Sequence, residues 1–264
     1  MNMDKKLIVA NWKNHPDSLA QAQEILDFIN DYLESLNDPP SARSGGGGKE
    51  FGLVVCPPFI FIEEVGKILK TSHLEHDAVL GAQDIAIEDK ISLTGEVSGT
   101  MLNKLGVRYV IIGHSERRWK LGESDKMVNQ KIKITLRDDM IPIVCIGEKT
   151  RDSDFRNFLE EQIRTTFAGL SVDEIGKCIV AYEPVWAIST NTGAHPDTPT
   201  STLGSIGIIK GLISPRAVLY GGSLNSKNIM DFLKENEIDG VLVGGASVDK
   251  EEFVKILKAV FKLK

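Results

Sequence analysis

The sequence has no apolar run near the roughly 18 residues that a membrane span needs. After Lys5 and Lys6 the apolar stretch Leu7–Ala10 stops at Asn11, too short for the core of a signal peptide. Cysteine is scarce. Cys56, Cys145 and Cys178 show no CxxC spacing, so neither a disulfide framework nor a zinc site is indicated. We read them as small core residues of a protein in a reduced, cytoplasmic compartment. No Walker-type loop occurs, and no dinucleotide-type glycine turn follows the first apolar run, so nucleotide use is not suggested. Positive charge is not in excess. With 31 Lys+Arg against 37 Asp+Glu the net charge is −6, which weighs against nucleic acid as a partner. A chain of 264 residues that is 42% hydrophobic can bury a large core, which excludes disorder and collagen.

What the chain does have is eight short apolar runs: Leu7–Ala10, Leu53–Cys56, Ala78–Leu80, Tyr109–Ile112, Ile141–Ile146, Cys178–Ala181, Ala217–Tyr220 and Val241–Val243. They are rich in Val and Ile and do not alternate with polar residues, the pattern of strands buried on both faces. Their spacing is about that of a strand plus a crossover helix. The intervening segments read as amphipathic helices. Ser18–Leu36 sets Leu19, Ala22, Leu26, Ile29 and Leu33 on one stripe after a cap at Asp17 or Ser18. Ser124–Leu136, Asn225–Leu233 and Asp249–Phe261 read similarly, with Asn225 and Asp249 as caps. The expectation is one α/β domain over residues 1–264, a (β/α)8 barrel of eight parallel strands ringed by helices. A doubly wound open sheet is the second reading. Residues 37–50, with Pro39-Pro40 and Gly45–Gly48, read as a flexible insertion on the face away from the chemistry.

In such a barrel the active site forms at the C-terminal ends of the strands. Those ends carry Asn11-Trp12-Lys13, Gln83, Gly113-His114-Ser115-Glu116, Glu183-Pro184, Gly221-Gly222-Ser223 and Gly244-Gly245. Singly, each has a bland explanation. A lone lysine is solvated, a lone histidine is structural, and paired glycines mark a turn. Jointly, a cation, an imidazole and a carboxylate at three strand ends point to proton transfer. Glycine-rich turns after the last two strands suit a phosphate held on backbone N–H groups.

The same segments resemble those of the triosephosphate isomerases. They are Ala10-Asn11-Trp12-Lys13, Cys56-Pro57-Pro58, Thr94-Gly95-Glu96, Ile112–Arg118, Gly122–Asp125, Cys145–Glu148, Ala181–Ile188, Tyr220–Ser223 and Val243–Ser247, all in order along the chain. The resemblance implies a cofactor-free, metal-free interconversion of dihydroxyacetone phosphate and D-glyceraldehyde 3-phosphate through an enediol(ate). It makes Glu183 the base, His114 a neutral imidazole acting on the carbonyl, Lys13 the fixed positive charge and Asn11 a hydrogen-bond donor to substrate. Glu116 becomes a partner for Lys13. The phosphate would rest on the N–H groups of Ser189, Ser223, Gly244 and Gly245.

The chain departs from the family pattern at the tip of the lid, where Ser189-Thr190-Asn191-Thr192 stands in place of Gly-Thr-Gly-Lys. A serine accepts positive φ poorly, so strain at Ser189 on closure is expected. The alternative function is therefore a phosphate-binding barrel with impaired turnover and a regulatory or binding role. The segment Ile85–Ser98 is long for a loop after a strand and carries Ile91 and Leu93. The resemblance gives it a destination in a homodimer. Thr94 would approach the neighbour's Asn11 and Lys13, and Glu96 would pair with Arg117 across the interface.

Overall fold

The computed structural model describes residues 6–35, 51–72, 74, 78–88, 92–188 and 197–261. The insertion expected at 37–50 lies outside them, as do Ile91 and the lid tip from Ser189 onward. The strands are β1 (Lys6–Asn11), β2 (Phe51–Cys56), β3 (Ala78–Ala82), β4 (Tyr109–Ile112), β5 (Ile141–Ile146), β6 (Ile179–Tyr182), β7 (Ala217–Tyr220) and β8 (Gly240–Val243). They form a closed barrel in sequence order, with β1 parallel to both β2 and β8. Ile8 faces Leu53 on one side and Val241 on the other. With no free edge, the open doubly wound sheet is excluded. Nearly every strand residue is buried, which explains why the runs do not alternate.

The described helices are α1 (Leu19–Ser35), α2 (Ile62–Thr71), α3 (Gly99–Lys104), α4 (Ser115–Leu121), α5 (Asp125–Arg137), α6 (Phe155–Thr166), α7 (Val172–Ile175), α8 (Pro199–Leu212), α9 (Ile229–Leu233) and α10 (Lys250–Phe261). The chain packs as two compact units: Met1–Gln83 with Leu224–Lys264, and Asp84–Ser223.

In the first unit, α1 starts after Ser18, whose Oγ accepts from Gln21 N at 3.3 Å. The helix buries Ala22, Ile25, Leu26, Ile29, Tyr32 and Leu33. Leu19, expected on this stripe, is exposed, because it sits at the stripe's edge in the first turn. α10 is capped as expected: Asp249 Oδ1 accepts from Glu252 N at 3.0 Å. The helix expected from Asn225 begins only at Ile229. Asn225 Oδ1 takes the N–H of Lys227 at 2.9 Å, and Asn228 Oδ1 takes that of Asn225 at 2.8 Å. Such side-chain bonds hold a turn in competition with helix.

In the second unit, Ser124 caps α5 through Met127 N, and Thr198 caps α8 with Pro199 in its first turn. A quartet of charges, three of them buried, ties this unit together. Lys131 of α5 donates to both oxygens of Asp84 at 2.7 Å and to Glu123. Arg117 Nε lies 2.8 Å from Asp84 and 2.6 Å from Glu123. Burial, with Glu123 beside it, raises the Asp84 carboxyl to about 6 against the pull of Lys131. Burial would raise Glu123 as well, but its bonds from Lys131 and Arg117 outweigh burial and hold it below the usual range. Breaking a buried pair from one side leaves charge without compensation. Lys131→Met should therefore cost about 3–5 kcal/mol in urea unfolding. A loss under about 1 kcal/mol would show that the two carboxylates are content with Arg117 alone.

Candidate active site

In the second unit β4 ends at Ile112 and the chain turns through Gly113 at φ 66°. His114 then stands as the N-cap of α4, and its Nδ1 accepts from Glu116 N at 3.2 Å. In this geometry Nδ1 is the ring's acceptor and Nε2 the nitrogen turned toward the carboxylate. That nitrogen lies 3.1 Å from Glu183 Oε1.

Glu183 follows β6 and is 2% exposed. Its backbone N–H bonds Ile146 O at 2.8 Å. Its second oxygen, Oε2, accepts from Ser115 N at 3.0 Å. Burial pushes the carboxyl up, but His114, the Ser115 N–H and the Cys145 thiol outweigh burial and hold it below the usual carboxylate range. The strand end fits closely against its neighbour. A Cβ on Gly147 would stand 1.8 Å from the Glu183 carbonyl oxygen, so only glycine fits there.

Behind Glu183 the chain turns through Val185–Ala187, the front of the lid. Glu148 anchors it. Its buried Oε1 accepts from Trp186 Nε1 at 2.9 Å, Tyr182 Oη at 2.8 Å and Arg151 Nη1 at 2.9 Å, and its carbonyl accepts from Val185 N at 3.0 Å. Ser223 donates its hydroxyl to Ala187 O at 2.9 Å, which leaves the expected phosphate role to its backbone N–H. Ser189 and Asn191 lie outside the described residues. Glu116 Oε2 lies 3.6 Å from His114 Nδ1, and its Oε1 lies 3.8 Å from Lys120.

In the first unit Asn11 ends β1, and its Oδ1 accepts from Lys13 N at 3.0 Å. Lys13 has φ 55°, a conformation that costs a residue with a side chain and clusters at functional sites. Gln83 holds it there, donating to Lys13 O at 2.6 Å and to Cys56 O at 3.0 Å. Gly244 leaves room for the lysine stem, since a Cβ at that position would lie 3.2 Å from Lys13 Cε. Ser247, after the Gly244-Gly245 turn, donates to Gly244 O at 2.7 Å. Asn11, Lys13 and Gly244 are thus assembled together. The supporting roles of Gln83 and Glu148 were not foreseen. The only signal for Gln83 was its place after a strand.

Of the residues expected at a dimer contact, Leu93, Thr94 and Glu96 are exposed on the loop 85–98, whose base is closed by Ala86 N to Val97 O at 2.9 Å. Arg117 engages Asp84 and Glu123 of its own chain through Nε. Cys56, Cys145 and Cys178 are free and buried, as expected. Burial pushes the Cys178 thiol up to about 12, so it is inert at neutral pH.

A family model described as triosephosphate isomerase matches residues 6–260. The chain belongs to the triosephosphate isomerase family. It is 36% identical to the triosephosphate isomerase of Dictyoglomus thermophilum over 97% of this chain and 100% of that protein. It is 38% identical to that of Dehalococcoides mccartyi over 97% of this chain and 96% of that protein. Among solved structures, the triosephosphate isomerase of Bartonella henselae superposes with a TM-score of 0.77 at 25% identity, covering 98% of this chain and 100% of that one. Within this family fold, the Gln83 bonds give a direct test. Gln83→Ala removes both and leaves Lys13 in a costly conformation without its brace. It should lose about 1–3 kcal/mol of stability in a urea melt, and turnover should fall with it. Unchanged stability would mean that Asn11 alone fixes the turn.

Proposed function

We propose that the chain interconverts dihydroxyacetone phosphate and D-glyceraldehyde 3-phosphate, with Glu183 and His114 as the proton-transfer pair. The observation that carries this reading is the 3.1 Å contact between the buried Glu183 carboxylate and His114 Nε2, with Nδ1 of the same ring accepting a backbone N–H. Glu183 takes the proton from one carbon and returns it to the next, a task for which one carboxylate suffices. Ionised in the free enzyme, it is ready to accept. Both its oxygens are held by donors, so it must release at least one to reach substrate carbon. His114 donates from Nε2 to the carbonyl oxygen and shuttles protons between the two oxygens. Lys13 supplies fixed positive charge to the enediolate, and Asn11 donates to substrate oxygen. The phosphate rests on the N–H groups of Ser189, Ser223, Gly244 and Gly245. Glu116 serves as the partner of Lys13. No cofactor and no metal enter the scheme.

The working unit is a homodimer, with the loop 85–98 used twice about a two-fold axis. Its exposed Leu93 and Thr94 support this reading, because an apolar tip in water is a cost that a second subunit removes. Glu96 pairs with Arg117 in this arrangement. No described helix is long and apolar enough to cross a membrane. We place the enzyme in the cytoplasm.

Glu183→Gln should keep the fold and lower turnover by about a thousandfold or more. Because the carboxyl lies below its usual range in the free enzyme, the acid limb of kcat/KM for the unmodified protein should fall below about pH 4.3, the ordinary glutamate value. Near-normal turnover by Glu183→Gln would remove Glu183 from its role. Charged residues at Leu93 and Thr94 should give a monomer with poor turnover. Light scattering of the unmodified protein decides the assembly, and a mass equal to one chain would contradict the dimer.

A further inference from the structure

Beside Glu183 lies a narrow crevice, too tight to hold a water molecule, lined by eight residues that include Ser115, Arg118, Cys145, Val185 and Glu183 itself. Seven of the eight are buried. The eighth is Trp119, at 43% exposure. Trp119 is therefore the lining residue that faces solvent. It projects from α4, the helix whose first turn holds both His114 and Glu183. Its ring does not hang free. Phe158 of α6 stacks on it at 6.2 Å between centroids and 29° between planes, and the Lys149 ammonium sits 5.4 Å from the ring centre.

We propose that Trp119 is a positioning residue for the base: its indole closes the mouth of the crevice and keeps water from Glu183. The inference rests on Glu183 being the base. It assigns a task to a residue outside the substrate-contacting set. The charged and titratable groups around the carboxylate are His114 after β4, Arg118 and Glu116 on α4, Cys145 on β5 and Lys149 beyond the indole. Arg118 is already occupied. It donates to Gly113 O at 2.6 Å and Cys145 O at 3.0 Å, and pairs with Asp125 at 2.5 Å. Removing the indole would admit water and let Lys149 approach. Both stabilise the ionised carboxylate, so both make Glu183 a weaker base. The two effects share one sign.

The test is the pH profile of turnover on triose phosphate for Trp119→Ala and Trp119→Phe, with circular dichroism as the fold control. Trp119→Ala should move the acid limb of kcat/KM down by about half to one pH unit. It should lower kcat by about three- to tenfold with KM little changed. Trp119→Phe keeps an apolar plate and should stay near the unmodified profile. An unshifted limb in folded Trp119→Ala overturns the proposal. An equal shift in Trp119→Phe also overturns it, because the effect would then belong to the indole N–H. Phe158→Ala removes the stacked support while leaving Trp119 in place, and should shift the limb in the same direction by less. If Trp119→Ala does not fold, the absence of that shift overturns the proposal instead. Glu183→Gln run alongside separates the two readings. An inactive Glu183→Gln with an unshifted Trp119→Ala removes only the role of Trp119, whereas an active Glu183→Gln removes the base itself.

Discussion

The proposed acid–base pair, Glu183 and His114, is held by the first turn of one short helix. The leading N–H groups of a helix have no partner within it. In α4 they are all committed. Ser115 N donates to Glu183 Oε2, Glu116 N to His114 Nδ1, and Arg117 N and Arg118 N to His114 O. Two of these bonds hold the acid–base pair directly, and the other two hold the residue that carries the imidazole. The orientation of the His114 ring, the parking place of Glu183 and the direction of α4 are therefore one constraint. Any change that rotates this turn alters all three together.

Against that constraint stands burial. A carboxylate that is 2% exposed would ordinarily resist ionisation. Glu183 is nonetheless held below its usual range, because donors surround it. This balance has a consequence for catalysis. When the carboxylate leaves the Ser115 N–H for substrate, it loses a contact that lowers its basicity while the burial remains. In the proposed mechanism the base strengthens on leaving that N–H. The segment after Glu183 is held in place. Glu148 gathers Trp186, Tyr182 and Arg151 onto one buried oxygen.

The eight strands were legible in the sequence because burial on both faces leaves a plain mark, an apolar run without alternation. Five runs matched within a residue or two, and Tyr109–Ile112, Ile141–Ile146 and Ala217–Tyr220 matched to the residue. Helix beginnings were less legible where polar side chains compete for the backbone. Asp249 caps as expected, while Asn225 folds into a turn with Asn228. Leu19 obeys the helical period and is still exposed, because the period does not say where the stripe's edge falls. Candidate catalytic groups were legible as polar residues at strand ends. Their supports were not. Lys131 meets Asp84 from 47 positions away, Gln83 meets Lys13 from 70, and no local pattern announces such pairs.

The same reasoning explains why the cation of this site is built on strained backbone. Lysine's charge sits at the end of four flexible carbons, and holding it in one place costs side-chain entropy. The chain meets that cost at the root of the side chain. Asn11 takes the N–H of Lys13 and Gln83 takes its carbonyl, so the residue is clamped on both sides at φ 55°. Gly244 then bounds the stem at Cε, near enough to guide it and small enough not to displace it. The clamp acts on the backbone of Lys13. In the proposed mechanism the charge that meets the developing enediolate is oriented from its root, by hydrogen bonds to the peptide on either side of the residue.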